Sequence, residues 1–217
     1  MALNRWASVQ VLARLLETID FVTVMQIIDQ VDNGKYEILP FITKVYTEAH
    51  TINPYNLTKC CRTKVLVLPN CTNLEDNALM MLPHLESLTI KAGNPLTNDV
   101  FQHLSYITKL QILSHTEADE DTLLDYIALR NLSKLEMLQV RNKNLRNEHF
   151  RLLPDLKVLI LDGNDKVTPG ILNFLPKMEI CIINRELCKF ISSTRNNAII
   201  KKIGKLDRVR IHAIENN

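Results

Sequence analysis

The side chains able to carry chemistry are scattered along the 217 residues rather than gathered in motifs. The 5 cysteines (Cys60, Cys61, Cys71, Cys181 and Cys188) are an odd number without C-x-x-C spacing. Neither a disulfide framework nor a tetrahedral zinc site is therefore expected. The 6 histidines (His50, His84, His103, His115, His149 and His212) are dispersed, and none lies at an informative spacing from a cysteine. No phosphate-binding glycine loop, G-x-S-x-G or H-E-x-x-H occurs. The acidic run Glu117 to Asp121 lacks the ligand order and glycine of a calcium loop and suits a helix N-terminus instead. The basic end, with Lys201, Lys202, Lys205, Arg208 and Arg210, lacks the interleaved aromatics of a nucleic-acid face. No enzyme activity, metal, cofactor or nucleic-acid partner is expected. The remaining chemistry is recognition.

Composition agrees with a globular chain of one or two domains. Hydrophobic residues make up 46% and charged residues 23%, which excludes wholesale disorder. A formal charge of +2 favours no class of partner. The early apolar stretch from Trp6 to Val31 is broken by Arg14, Glu17, Asp20 and Asp29, so it is not expected to cross a membrane. Its apolar positions recur at helical spacing, unlike a secretory leader. The Asn-x-Ser/Thr triplets at Asn56, Asn70 and Asn131 are accordingly read as chance. The expected setting is reducing and intracellular: the cytoplasm, with the nucleus as a second location.

Self-comparison supplies the organising signal. A cassette of the form L-x-x-L-x-L starts at Thr63, Leu85, Leu110, Leu135, Leu156, Met178 and Leu206, with starts 21 (135 to 156) to 28 (178 to 206) residues apart. That period is typical of leucine-rich repeats. Alternation within the cassette makes a short strand whose first, fourth and sixth positions point into a core. A turn and a helical stretch follow, as at Asp76 to Leu82 and Asp99 to Leu104. The expected fold is an α/β leucine-rich-repeat solenoid, with about seven short parallel strands on the concave side and helices on the convex side. Two cassettes are imperfect. Thr63 replaces a leucine, as expected where a terminal repeat meets a preceding domain, and His115 occupies a sixth position.

The segment from Leu66 to Leu88 resembles the cysteine-containing subtype of these repeats. Cys71, Leu74, Asp76, Ala78, Leu79 and Leu82 fall on the matching positions. Partial matches recur at Leu96 to Phe101 and at Val167 to Leu172. Cys71 is read as a small buried turn residue rather than a nucleophile.

Residues 1–60 contain no cassette and read as helices, so residues 61–217 are taken as the repeat domain. Trp6, Val9, Leu12, Leu15, Leu16 and Ile19 share one helical face, as do Val24, Ile27, Ile28 and Val31. A third helix is expected over Tyr36 to His50, with Leu39, Ile42, Val45 and Tyr46 on its apolar side. This segment resembles a divergent F-box. Ile27-Ile28 is followed at the family's offset by Ile42-Thr43-Lys44-Val45-Tyr46, whereas Ile19-Asp20 stands in place of the family's Leu-Pro. An F-box ahead of cysteine-containing repeats is the order of the F-box/LRR family. The resemblance implies a substrate-recognition subunit of an SCF-type (Skp–cullin–F-box) ubiquitin ligase, with a Skp-family adaptor and a cullin as partners. Ile19, Val24, Ile27, Ile28, Val31, Leu39, Ile42 and Tyr46 would contact the adaptor. The alternative is a helical cap that shields the first repeat's core.

A target protein is expected on the concave face. Its third and fifth cassette positions include Val65, Val67, Ile112, Met137, Gln139, Val158, Ile160, Ile180, Ile182, Arg208 and Arg210. Such a row of apolar side chains suits a partner surface, although β-branched residues also pack sideways within sheets. Two rivals to the ligase role remain. One is a plain repeat scaffold or regulatory binding module with no ubiquitin role. The other is an inhibitor of an enzyme such as a GTPase or phosphatase.

Overall fold

The computed structural model describes residues 2–32, 38–114, 124–184 and 186–187. Two helices open the chain, α1 (Ala2–Leu16) and α2 (Phe21–Asp32). Seven parallel strands then follow in sheet order: β1 (Lys44–Tyr46), β2 (Val65–Leu68), β3 (Ser87–Lys91), β4 (Lys109–Leu113), β5 (Met137–Arg141), β6 (Val158–Asp162) and β7 (Ile180–Ile183). A two-residue β8 (Glu186–Leu187) returns antiparallel on β7. Short helices join consecutive strands: α3 (Pro54–Thr58), α4 (Asp76–Met80), α5 (Tyr126–Asn131) and 3-10 turns at Asn98–His103, Asn147–Leu152 and Pro169–Asn173. The chain is a leucine-rich-repeat solenoid.

Register makes the core a stack of columns. Val45, Leu66, Leu88, Leu110, Leu138, Leu159 and Cys181 are aligned from strand to strand, and all are buried. The columns three residues before and two residues after are buried too, from Ile42 to Met178 and from Thr47 to Ile183. Each fully buried leucine contributes about 1.5–3 kcal/mol by leaving water. Phe101, Leu129, Phe150 and Ile171 close the core from the convex side.

The turns after the strands are tied by asparagines. Asn164 is buried, and its Nδ2 donates to the carbonyls of Asn142 (2.6 Å) and Leu145 (3.0 Å). Its Oδ1 accepts from the amides of Lys166 (2.9 Å) and Val167 (2.7 Å). Asn142 and Asn184 serve the turns on either side, and Asn94 and Asn73 do the same earlier in the chain. Buried backbone groups that no strand can satisfy are thereby paired. In the second repeat Cys71 fills the corresponding hollow, its thiol 3.2 Å from Asn73 Oδ1. The sequence reading of Cys71 anticipates that burial but misses the asparagine series.

Three expectations change. No helix runs from Tyr36 to His50: Leu39–Phe41 is a 3-10 turn, and Lys44–Tyr46 is the edge strand β1. Val45 and Thr47 turn inward and Lys44 outward, an alternation that suits a strand. The repeat sheet thus begins inside the segment assigned to the helical domain. Thr63 is not a terminal position, because its strand stands between β1 and β3. The third cassette is shifted: Leu88 pairs with Leu110, so the cassette starts at Ile107, one step of 22 residues from Leu85 as in the Lys64–Glu86 spacing. Ile112 fills the inward sixth position of this frame, and His115 lies outside the described residues. The last cassette, at Leu206, also lies outside them.

The N-terminal helices cap the sheet. Ala13 and Leu16 of α1 and Phe21, Val24, Met25 and Ile28 of α2 are buried in the common core. Glu17 bends over the sheet edge, where its Oε1 accepts from Thr43 N (2.7 Å) and Thr43 Oγ1 (2.6 Å). A carboxylate there occupies an edge donor that could otherwise recruit another strand. Asp20 starts α2, with Oδ1 accepting from Val22 N at 2.9 Å.

Two substitutions test this account by equilibrium denaturation. Asn164→Ala removes four hydrogen bonds, three of them buried, and is expected to cost about 3 kcal/mol. Thr63 Oγ1 is buried without a hydrogen-bond partner among the described residues, so Thr63→Val is expected to add about 1 kcal/mol. A destabilising Thr63→Val would mean that the hydroxyl is paired.

Candidate interaction surface

The concave face is built by the two outward positions of each strand, and register settles which residues they are. The third-position column runs Lys44, Val65, Ser87, Lys109, Met137, Val158 and Ile180. The fifth-position column runs Tyr46, Val67, Thr89, Gln111, Gln139, Ile160 and Ile182. Val65, Val67, Met137, Gln139, Val158, Ile160, Ile180 and Ile182 all lie on this face and are half-buried. Ile112 does not. It is 2% exposed, because the true frame of its cassette turns it into the core and leaves Lys109 and Gln111 outside. Arg208 and Arg210 lie outside the described residues.

The face divides into three zones. At the N-terminal edge, Tyr46 donates its hydroxyl to Glu48 Oε1 beside the outward Lys44. In the middle, Thr89 Oγ1 donates to Gln111 Oε1 (3.1 Å), and Gln111 Nε2 donates to Gln139 Oε1 (2.8 Å). Lys109 stands half-buried beside this row, and burial pulls its ammonium below the usual lysine range. At the C-terminal end, Met137, Val158, Ile160, Ile180 and Ile182 form a continuous aliphatic patch on β5 to β7. Adjacent residues of one column are about 4.8 Å apart, so a partner side chain can span two of them.

A charged rim borders the sheet at the second cassette position. Lys64 pairs with Glu86 (2.8 Å) and Lys157 with Glu136 (2.7 Å). Both pairs are largely solvated and add little stability.

The residues assigned to adaptor docking separate into core and surface. Val24, Ile28, Leu39 and Ile42 are buried in the chain's own core and offer no surface for an adaptor. Ile27 is half-buried, Ile19 and Tyr46 are partly exposed, and the side chain of Val31 lies outside the described residues. Ile42 to Tyr46, which carry the F-box signature, lead into and form β1. In α1 the buried side is Ala13 and Leu16, while Leu12 (44%) and Leu15 (61%) face solvent, unlike the single apolar face expected. Val11, Ile19 and Val22 are exposed beside them. The spacing of Leu12, Leu15 and Leu16 did not show which side the sheet would cover. A cleft of about 310 Å³ between α1 and the first repeat is lined by Gln10, Arg14, Glu17, Phe41, Thr43 and Arg62.

No cluster of three or more His, Cys, Asp or Glu side chains that could hold a metal occurs among the described residues. No helix among them is long and apolar enough to cross a membrane. Burial pushes the Cys60 thiol up to about 12, with neighbouring Cys61 adding to the effect, which removes its nucleophilic form at neutral pH.

These features define a repeat solenoid with a polar-centred, apolar-ended concave sheet. An internalin (inlF) from Listeria monocytogenes has a similar fold, with a TM-score of 0.51 and 19% identity over 76% of this chain. The match covers 47% of that protein, so this chain spans less than half of its length. Internalin C2 from the same organism matches with a TM-score of 0.47 and 18% identity, over 67% of this chain and 73% of that one. No family model matches the sequence, and no curated protein does. At this identity the likeness to inlF establishes the fold.

The Tyr46–Glu48 contact gives a measurable signature. Its hydrogen bond to the carboxylate, followed by burial and the charges of Glu48 and Asp20, raises the Tyr46 hydroxyl from 10.0 to about 12. A raised folded-state value favours the protonated form, so its contribution to stability is present below pH 10 and lost as pH climbs toward 12. In ultraviolet titration, the difference between wild type and Tyr46→Phe should show one late-ionising phenol. Glu48→Gln should return that step toward 10.

Proposed function

We propose that the chain is a protein-interaction module that takes its partner on the C-terminal half of the concave sheet. The observation that carries this reading is the aliphatic patch of Met137, Val158, Ile160, Ile180 and Ile182. These side chains stand outward on adjacent strands, half-buried against one another and outside the core. Patches of this kind gain about 25 cal/mol for each Å² that a partner covers. The function is scaffolding by shape, with no chemical step of its own. Cys60 and Cys71 are single thiols buried in the core, which supports a reducing compartment such as the cytoplasm or nucleus.

A role as the target-recruiting subunit of a Skp–cullin ubiquitin ligase is the finer form of this reading. It draws support from the sequence resemblance and from the exposed stripe Val11, Leu12, Leu15, Ile19 and Val22, to which a Skp-family adaptor could bind. Against it stands β1, which takes the signature residues into the repeat sheet. Calorimetry with a Skp-family adaptor separates the two forms: a complex weakened by Leu15→Asp supports the ligase, and no heat with any adaptor leaves the module alone.

For the module itself, partners captured from lysate by wild type should be lost from Ile160→Asp, with affinity reduced about tenfold or more. The same variant should keep its circular dichroism, because Ile160 points away from the core. Retention of every partner by the folded variant would place the interaction elsewhere.

A further inference from the structure

The polar centre of the concave face is unbalanced. The hydrogen bonds of its row run in one direction, from Thr89 to Gln111 to Gln139. Both glutamine side-chain oxygens are thereby occupied, and the row ends in the Nε2 of Gln139, a donor with no acceptor among the described residues. Lys109 lies one strand back and two residues earlier, since Gln111 is aligned with Gln139 and Lys109 with Met137. Its ammonium is likewise unpaired among the described residues, and the residue is half-buried. Diagonal neighbours on one sheet face are about 7–8 Å apart, within reach of two long side chains. A half-buried ammonium without a counter-charge is costly unless an anion arrives.

The group that answers an ammonium and an amide N–H together is a carboxylate, which offers two acceptor oxygens and the missing charge. The aliphatic patch begins immediately beyond. At about 4.8 Å per strand, Val158 and Ile160 on β6 lie roughly 10 Å from β4, and Ile180 and Ile182 on β7 roughly 14 Å. An extended chain crossing the strands advances about 3.3 Å per residue. Its apolar side chains therefore reach the patch three or four residues from the acid.

Building on the module reading above, we propose that the concave face recognises an acidic–aliphatic segment of a partner protein. An Asp or Glu carboxylate sits between Lys109 and Gln139, and apolar side chains three to four residues away pack on Val158, Ile160, Ile180 and Ile182. The polar ladder sets register, and the aliphatic patch supplies most of the contact area. Charge complementarity distinguishes this occupant from a purely apolar segment, which would cover the half-buried Lys109 and offer it no partner beyond those of the described residues, where it has none.

The experiment is selection of phage-displayed random dodecapeptides on the full chain, followed by fluorescence anisotropy of the enriched peptides. Lys109→Met, Lys109→Glu and Ile160→Asp serve as variants, with folding checked by circular dichroism. Lys109→Met keeps the aliphatic stem and preserves the fold. The expected peptides carry an acid three or four positions from an aliphatic or aromatic run. Lys109→Met should weaken them by about tenfold or more. Replacing the peptide's acid with lysine should restore binding to Lys109→Glu. Peptides weakened by Ile160→Asp but indifferent to Lys109 would overturn this inference and leave the module reading standing. Enrichment of none, or of peptides indifferent to Ile160→Asp, would overturn both.

Discussion

A single strand–turn–helix unit of this chain cannot bury its own apolar face, and the architecture follows from that constraint. The inward Leu88 and Ile90 of β3 find cover only because β2 presents Leu66 and Leu68, and β4 Leu110 and Ile112, at the same register. A shift of one residue in any strand would turn its whole inward set to solvent. The asparagines work within the same limit. Each turn leaves backbone groups that no strand can pair, and Asn142, Asn164 and Asn184 satisfy them across neighbouring repeats. Packing and hydrogen bonding thus both run along the solenoid axis, as expected of a nearly one-dimensional fold.

Such a stack has ends, and the N-terminal end explains residues that look functional in isolation. Val24, Ile28, Leu39 and Ile42 are apolar because they seal the first repeat, and Glu17 is acidic because its carboxylate covers an edge-strand donor. The asparagines and the buried columns are demanded by the core. The concave positions are not. Neither the columns nor the turns constrain Lys109, Gln139 or Ile160, so their chemistry is available for recognition. The contrast between a polar centre and an aliphatic end gives that face direction as well as affinity.

Much of this was legible along the chain. Repeats of L-x-x-L-x-L imply strands with period-two burial, and the inward leucines from Leu66 to Leu161 occupy the positions that the pattern assigns. The outward residues Val158, Ile160, Ile180 and Ile182 follow from the same rule. Where the pattern admits two frames, it fails. Residues 107–115 fit the cassette from Ile107 or from Leu110, and only pairing with β3 chooses Ile107, which buries Ile112. Residues 42–47 read equally as a helix face or a strand, since Ile42, Val45 and Tyr46 satisfy helical spacing.

The amino-acid sequence by itself determined the repeat, the parallel sheet and the two-sided sorting of side chains, because these are local consequences of alternation. Tertiary structure decided what no local rule contains. It took β1 from a predicted helix into the sheet, because an exposed edge at β2 is better filled by the next β-branched run. It exposed Leu12 and Leu15 by choosing the Ala13–Leu16 side of α1 for the core. It also brought Lys109 and Gln139, 30 residues apart in the chain (139 − 109), onto adjacent strands of one face. Alternation sets which way a side chain points; stacking sets which side chains it meets.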